Sequence, residues 1–418
     1  AILGAGQPVI VVEDPRAALA FAAALHAGSQ PDCMVAVTGT NGKTSVASFT
    51  RQIWEVLGLS AANIGTTGVE GAFHAPSLHT TPEPITLHRL LADMAAAHVT
   101  HAAMEASSHG LDQRRLEAVR LAAAGFTNLT QDHLDYHGTM EAYFAAKAGL
   151  FDRLLPVDGV AVINLDDAHG GRLAATCEAR GQEVIGIGHG EAARIRMTGQ
   201  RFDATGQEIL FRWQGRACSA RLRLIGGFQA ANALLAAGLV IAAGEEPEVV
   251  FAALPKLVGV RGRMQLAATR DTGAAVFVDY AHTPDAVSTA LTALRPHVLG
   301  RIVAIVGAGG DRDRGKRPLM GQAAHENADV VIVTDDNPRS EDPLAIRAAV
   351  LAGAPDAVEE GDRATAILRG AAMLEPGDAL LVMGKGHETG QIVGDMVLPF
   401  DDVEQASLAV AALEGRET

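Results

Sequence analysis

Cysteine is scarce in this chain of 418 residues: Cys33, Cys177 and Cys218 are odd in number and widely spaced. That excludes a disulfide framework and a CxxC metal site, and it points to a reducing, cytosolic setting. Positive charge is also in deficit, with 34 Lys and Arg against 49 Asp and Glu and a formal net charge of -15. A broad surface for nucleic acid or for an acidic membrane is therefore not expected, and any anionic ligand must be held locally. Long apolar runs are missing too. The longest, "ALLAAGLVIAAG" from Ala233 to Gly244, falls short of the ~18 residues that suggest a membrane span and reads as a buried helix. No internal repeat, charge block or basic leader with an apolar core is evident. The first residue is Ala1 rather than Met, so the numbered sequence is expected to start inside a longer product.

What is present is an alternation of strand and helix signals. "HAAMEASS", "GVAVINLDD", "RIVAIVGAGG", "DVVIVTDDNP" and "ALLVMGKGH" each end an apolar run in Gly, Asp, Ser or Asn. This is the pattern of parallel α/β sheets, whose ligands sit beyond the C-terminal strand ends. Between Ile195 and Leu224 the segments "QEILFRWQ" and "ACSARLRL" alternate instead, predicting a small antiparallel excursion. A break near "GVRGRMQ", Gly259 to Gln265, precedes a new α/β series that opens with "AAVFVDYAHTPD". At ~150 residues per domain, the length suggests two or three domains.

The most pointed local signal is "VAVTGTNGKTSVASF", Val35 to Phe49. A buried strand over Met34–Val37, a glycine-framed turn and a helix from Ser45 with Val46, Phe49, Ile53 and Leu57 on one face make a phosphate cradle. Backbone N–H groups and the helix N-terminus face the anion, Lys43 supplies a cation, and the Thr44 hydroxyl can reach a magnesium ion. The spacing Gly39-x-x-Gly42-Lys43-Thr44 is two residues tighter than GxxxxGK[ST]. A nucleoside triphosphate is the expected partner, outside the ordinary P-loop ATPases.

Other strand ends carry carboxylates and imidazoles: Glu105, Ser107, Ser108 and His109 in one loop, Asp132, His133 and Asp135 in another. Such a gathering can hold Mg²⁺ against a nucleotide. In "MEAYFAAKAGLFDRL", Lys147 shares an apolar stripe with Tyr143, Leu150, Phe151 and Leu154. Spacing leaves two readings open: a snorkelling side chain, or an amine kept partly neutral by desolvation and able to take up CO₂ as a carbamate.

Taken together, "VTGTNGKTS", "MEASSHGL", "NLTQDHLDYHG", "YFAAKAGLF", "GGFQAANALLAAG", "GVRGRMQ", "VDYAHTPDA", "GGDRDRGKRPLM", "DDNPRSEDP" and "GKGHE" resemble the Mur ligases, in family order from about Val35 to the C-terminus. The resemblance is to the members that add meso-2,6-diaminopimelate to UDP-N-acetylmuramoyl-L-alanyl-D-glutamate in peptidoglycan synthesis. It implies a cytoplasmic, ATP- and Mg²⁺-dependent amide ligase that works through an acyl phosphate. The implied fold is α/β, with a central P-loop-type ATPase domain over residues 31–262 and a C-terminal Rossmann-like amino-acid domain over 263–418. Residues 1–30 would be the remnant of an N-terminal UDP-binding domain. A monomer is implied, with small-molecule partners only and no membrane insertion.

Carried over by resemblance, Gly39, Thr40, Asn41, Gly42, Lys43, Thr44 and Ser45 form the phosphate loop, and Asn232, Arg263 and Asp279 are further ATP contacts. Lys43, Lys147, His133 and Glu105 are the catalytic set, with Thr44, Glu105, His133 and a carbamylated Lys147 as metal ligands. Thr80, Thr81, Ser107, Gln113 and Arg115 fall where the UDP-muramoyl dipeptide is held. Arg312, Asp336, Asn337, Pro338, Arg339, Gly384 and Glu388 fall where the amino acid is held. There Arg339 would grip the distal carboxylate of diaminopimelate, Asn337 and Glu388 its distal ammonium, and Arg312 the carboxylate near the reacting end. Two positions depart from the pattern: His79 precedes the Thr pair, and Gln229 replaces an Asn.

The rival readings are a lysine-adding ligase, a folylpolyglutamate synthetase-like ligase, and a nucleotide-binding module without ligase activity. A dinucleotide dehydrogenase is set aside because "GAGGDR" at Gly307 lacks the third glycine of GxGxxG.

Overall fold

Ten strands, β1 (Cys33–Thr38), β2 (Ala61–Gly65), β3 (Gly68–Gly71), β4 (His101–Glu105), β5 (Ala123–Phe126), β6 (Val160–Asn164), β7 (Glu183–Gly188), β8 (Ile195–Asp203), β9 (Gly206–Trp213) and β10 (Arg216–Leu222), join one sheet of order β10-β9-β8-β7-β6-β5-β1-β4-β2-β3. The computed structural model describes residues 10–76 and 79–416, so residues 1–9 of the expected N-terminal remnant lie outside the described residues. From β2 through β8 the neighbours in the sheet run parallel, and β3 is an antiparallel edge on β2. The expected antiparallel excursion is β8–β10, whose two-residue turns at 204–205 and 214–215 dictate hairpins. It extends the main sheet rather than standing apart from it.

The second sheet is built from β11 (Gln265–Thr269), β12 (Ala275–Asp279), β13 (Ile302–Val306), β14 (Val330–Val333), β15 (Val358–Glu359) and β16 (Ala379–Met383), in the order β11-β12-β16-β13-β14-β15. All pairs are parallel except the edge pair β11–β12. A separate hairpin joins β17 (Gly390–Val393) and β18 (Met396–Pro399). Alternate residues of β13 enter different apolar clusters, Ile302, Ala304 and Val306 in one and Val303 and Ile305 in the other. Successive side chains on a strand point to opposite faces, so this sheet is covered on both sides, as parallel sheets require.

Two compact units result: residues 1–199, 210–220 and 231–257 form one, and residues 200–209, 221–230 and 258–418 the other. In the first, β5, β1 and β4 are adjacent and parallel, which gathers the loops after Thr38, Glu105 and Phe126 at one sheet edge. In the second, the same argument gathers the loops after β12, β16, β13 and β14.

Candidate active site

In the first unit, β1 feeds the turn 39–42, and the helix Lys43–Val56 starts directly behind it. The helix N-cap, Gly42, is left-handed at φ 88°, and no side chain caps it among the described residues. The first N–H groups of the helix therefore face outward, ready for an anion. A Cβ at Gly42 would lie 2.6 Å from Asn232 Oδ1, which shows how closely Asn232 approaches the loop. Gly42→Ala should sharply weaken ATP binding with little change in secondary structure, read by nucleotide titration calorimetry and circular dichroism; unchanged affinity would show that the turn is not the cradle.

Lys43 folds back over this loop, its Nζ donating to the carbonyls of Gly39 at 3.0 Å and Thr40 at 2.8 Å. The Lys147 Nζ donates to the same Gly39 carbonyl at 2.7 Å. Lys147 is 1% exposed and its ammonium lies 4.4 Å from the Tyr143 ring centroid. Snorkelling is thus ruled out. Burial pulls the Lys147 pKa well below the usual lysine range, and Lys43 pulls it further, with Asp132 opposing. The helix Met140–Gly149 continues as a π-helical turn, Leu150–Leu154, so the expected stripe holds for buried Tyr143, Leu150 and Phe151 while Leu154 is half-buried.

The turn is braced from β5. Thr127 donates its hydroxyl to Asn41 O at 2.6 Å, Asn128 Oδ1 accepts from Asn41 N at 2.9 Å, and the Thr40 hydroxyl pairs with Tyr143 at 3.2 Å. On the β4 side, buried Glu105 accepts from Thr66 N at 2.8 Å, and a Cβ at Gly65 would sit 2.1 Å from its Oε1. Thr81 donates to Glu105 O at 2.8 Å and accepts from Ser107 N at 3.0 Å, while Thr80 pairs with the Thr66 hydroxyl at 3.0 Å. Arg115 donates to Thr81 O at 2.8 Å and to Gln113, and Gln113 reaches Tyr136. The five expected dipeptide residues thus form one linked set.

His133 is left-handed at φ 53° and packs edge-on to His109 with 4.9 Å between centroids. Partial burial holds its pKa below the ordinary value; Asp132 opposes this, and His109, Lys43 and Lys147 add to it. Among the described residues no group of three or more His, Cys, Asp or Glu side chains forms a ready metal cage. Mg²⁺ is usually held by one or two carboxylates completed by substrate phosphates, and the donors at hand, a buried Thr44 hydroxyl and a buried Glu105 carboxylate beside the cradle, fit that habit.

In the second unit, buried Asp279 accepts from the backbone of Met264 at 2.7 Å and Ala281 at 2.9 Å. Burial raises its pKa against the pull of Arg263. Arg263 stacks 4.7 Å from the Tyr280 ring centroid, with its buried Nε unpartnered among the described residues. The loop after β14 carries Asp336, Asn337 and Pro338, all buried, and Arg339 at φ 53°. Asn337 Nδ2 donates to Glu388 at 2.8 Å, and Arg339 Nη1 donates to Gly310 O at 2.7 Å. Gly384 lies so close to this loop that a Cβ there would meet Asp336 Oδ2 at 2.4 Å. Burial raises the Glu388 pKa; Asn337 lowers it, Asp336 raises it, and Lys385 and Arg339 lower it. Arg312 is exposed, with Nη1 donating to Asp311 O, and its side chain passes the same glycine as Arg339: a Cβ at Gly309 would meet Arg339 Nη1 at 2.8 Å and Arg312 Cγ at 3.9 Å.

Residues 37–240 match the Mur ligase middle domain, and residues 262–386 match the Mur ligase glutamate ligase domain. The UDP-N-acetylmuramoyl-L-alanyl-D-glutamate–2,6-diaminopimelate ligase of Agrobacterium fabrum is 52% identical over 414 residues, which cover 98% of this chain and 84% of that protein. The ligase of the same name from Caulobacter vibrioides is 51% identical over 420 residues, with 99% and 85% covered. The chain belongs to the Mur ligase family. A solved structure of a ligase of that name is 35% identical at a TM-score of 0.72, covering 99% of this chain and 86% of its own. A folylpolyglutamate synthase from Mycobacterium tuberculosis, solved with ADP and AMPPCP, has a TM-score of 0.71 at 21% identity over 96% of each chain, a likeness of fold alone.

Several residues of this Mur ligase were not legible as site residues. Thr127, Asn128 and Thr130 brace the turn from ~90 residues away, the separation of neighbouring strands in a parallel sheet rather than of a local motif. Arg363 and Asp402 form a wholly buried ion pair at 2.7 Å, and Arg363 also donates to Met383 O at 2.9 Å, behind the strand ends of the second sheet. Lys385, inside "GKGHE", is likewise fully buried.

Proposed function

We propose that this Mur ligase joins 2,6-diaminopimelate to UDP-N-acetylmuramoyl-L-alanyl-D-glutamate with ATP as the energy source, in cytoplasmic peptidoglycan precursor synthesis. The single observation that carries this reading is that 52% identity to a ligase of that name runs over 98% of the chain, amino-acid loops included. The folylpolyglutamate alternative has only a fold in common at 21% identity. The three cysteines are free thiols, in keeping with a reducing compartment. No helix among the described residues is long and apolar enough to cross a membrane.

In the proposed reaction the D-glutamyl carboxylate oxygen attacks the γ-phosphorus of ATP, ADP leaves, and an acyl phosphate forms. The amine nitrogen then adds to the acyl carbon, loses its proton, and the tetrahedral intermediate expels inorganic phosphate. Backbone N–H groups of 39–45 and the Lys43 ammonium surround the phosphates, so charge developing on the transferred group meets fixed donors. Thr44, Glu105, His133 and a carbamate on Lys147 would hold Mg²⁺, which supplies further neutralisation of phosphoryl oxygens. The set Thr80, Thr81, Ser107, Gln113 and Arg115 would seat the muramoyl dipeptide with its carboxylate toward the cradle.

For the incoming amino acid, Asp336 and Glu388 offer anions to an ammonium, and Arg339 offers a fork to a carboxylate. Lysine lacks the second carboxylate and would leave that guanidinium without an anion. The test is ADP release with the UDP-muramoyl dipeptide plus either diaminopimelate or lysine. Arg339→Ala should raise the diaminopimelate KM about ten- to a hundredfold, the loss of one charged hydrogen-bonded contact, and should narrow the preference over lysine while sparing the ATP KM. Equal use of lysine by the unaltered enzyme, or intact selectivity in the variant, would defeat the assignment.

A further inference from the structure

Lys385 Nζ, on a side chain with no solvent exposure, donates to Asn337 Oδ1 at 2.8 Å and to Gly390 O at 2.8 Å, and lies 3.8 Å from Asp336 Oδ1. A second donor, Ile392 N, reaches the same Asn337 Oδ1 at 2.9 Å. A backbone N–H can only donate, so the amide oxygen must face Lys385 and Ile392, and the amide NH₂ is forced toward Glu388, where Nδ2 meets Oε2 at 2.8 Å. Reversing the amide would set its oxygen against a carboxylate and its NH₂ against two donors.

Gly390 and Ile392 belong to β17, so the Lys385 ammonium also ties the β17–β18 hairpin to the loop after β14. The same junction is closed by Gln391 Nε2 on Asp336 O at 2.7 Å and Arg339 N on Ile392 O at 3.1 Å. A buried lysine is costly, and burial lowers this one's pKa; the carboxylates of Asp336 and Glu388 act to keep it charged, against the opposing guanidinium of Arg363. A packing role alone would be served as well by an apolar side chain. What a cation with several donors adds here is a second, charged donor that, with Ile392 N, holds the direction of an amide that in turn holds a carboxylate.

We propose that Lys385 is a positioning residue for the incoming diamino acid: through Asn337 it aims the Glu388 carboxylate, and through Gly390 it seats the hairpin against the loop that presents Arg339. This rests on the reading above that the loop after β14 receives the amino acid. The hydrogen bonds of Lys385 go to Asn337 and Gly390, so the largest effect is expected on the incoming amino acid.

The experiment compares the full chain with Lys385→Met and Lys385→Gln by ADP release, measuring kcat and the KM of each substrate. Lys385→Met should raise the diaminopimelate KM at least about tenfold, the effect of releasing a group held by a hydrogen bond to a charge, with the ATP KM unchanged. Lys385→Gln keeps a donor for Asn337 Oδ1 and should recover part of that loss. If Lys385→Met does not fold, Lys385→Gln alone is compared with the unaltered chain, and a smaller rise in the diaminopimelate KM with an unchanged ATP KM is expected. A normal diaminopimelate KM, a parallel rise in the ATP KM, or Gln no better than Met would overturn the proposal. An unaltered enzyme with no diaminopimelate-dependent ADP release would instead overturn the functional reading itself.

Discussion

Lys43→Ala should leave a folded protein that no longer turns over ATP. The Lys43 ammonium sits on the carbonyls of Gly39 and Thr40, at the rim of the turn proposed to receive the phosphates. During phosphoryl transfer the negative charge on the γ-phosphoryl oxygens is redistributed, and a fixed cation aimed there acts without the reorganisation that water would need. Removing one such preorganised donor typically costs ~2.7 to 4 kcal/mol, or about a hundred- to a thousandfold in kcat. The fold should survive because the strand and helix flanking the turn are held by Met34, Val46, Phe49 and Ile53, all buried, and not by Lys43. Circular dichroism and thermal melting establish folding, and ADP release with all three substrates establishes activity. Near-normal turnover in a folded Lys43→Ala protein would remove the phosphate-loop assignment.

Loss of Lys147 should be as severe, and it should be repairable. Lys43 and Lys147 donate to one carbonyl oxygen, that of Gly39, so two ammonium groups would be forced together with little solvent between them. Like charges at such range disfavour each other, and the pKa of the buried partner falls. The lowered pKa means that Lys147 gives up its proton at lower pH than an exposed lysine, which enlarges the share of neutral amine at any given pH. A neutral amine adds to CO₂, forming an N–C bond and releasing one proton, and the product is a carbamate anion. With a carbamate there, the charge at Lys147 would change sign, repulsion by Lys43 would become attraction, and an oxygen donor for Mg²⁺ would stand beside the cradle. We expect Lys147→Ala to be inactive and partly rescued by added formate or acetate, which restore an anion in the vacated space. Depleting CO₂ should likewise slow the unaltered enzyme, and bicarbonate should restore it. Rescue by amines in place of carboxylates would show that the position works as a cation.

Much of this was readable along the chain because it is local. A strand of buried residues, glycines at the turn and a helix with apolar spacing occur within Cys33–Val56, and the hydrogen bonds that close them are short in sequence. The strand ends bearing Glu105, Asp336 and Gly384 were legible for the same reason, since an apolar run that stops at a polar residue marks its own C-terminus. The shared apolar stripe of Lys147 could also be read from spacing. Its state could not: snorkelling and burial differ only in what lies above the helix, and that is the Gly39 carbonyl, 108 residues away in sequence.

The amino-acid loop divides in the same way. Sequence alone determined that "TDDNPRSEDP" follows a strand and that Asn337, Arg339 and Glu388 belong to candidate loops, because each residue type and its distance from the strand end are local properties. Which side of the Asn337 amide faces Glu388 was decided only by tertiary structure. That choice depends on Lys385 and Ile392, 48 and 55 residues further along, brought beside it by the parallel register of the second sheet and by the hairpin that follows β16. Hydrogen-bond direction is a property of partners in space, and the order of residues in a chain does not carry it.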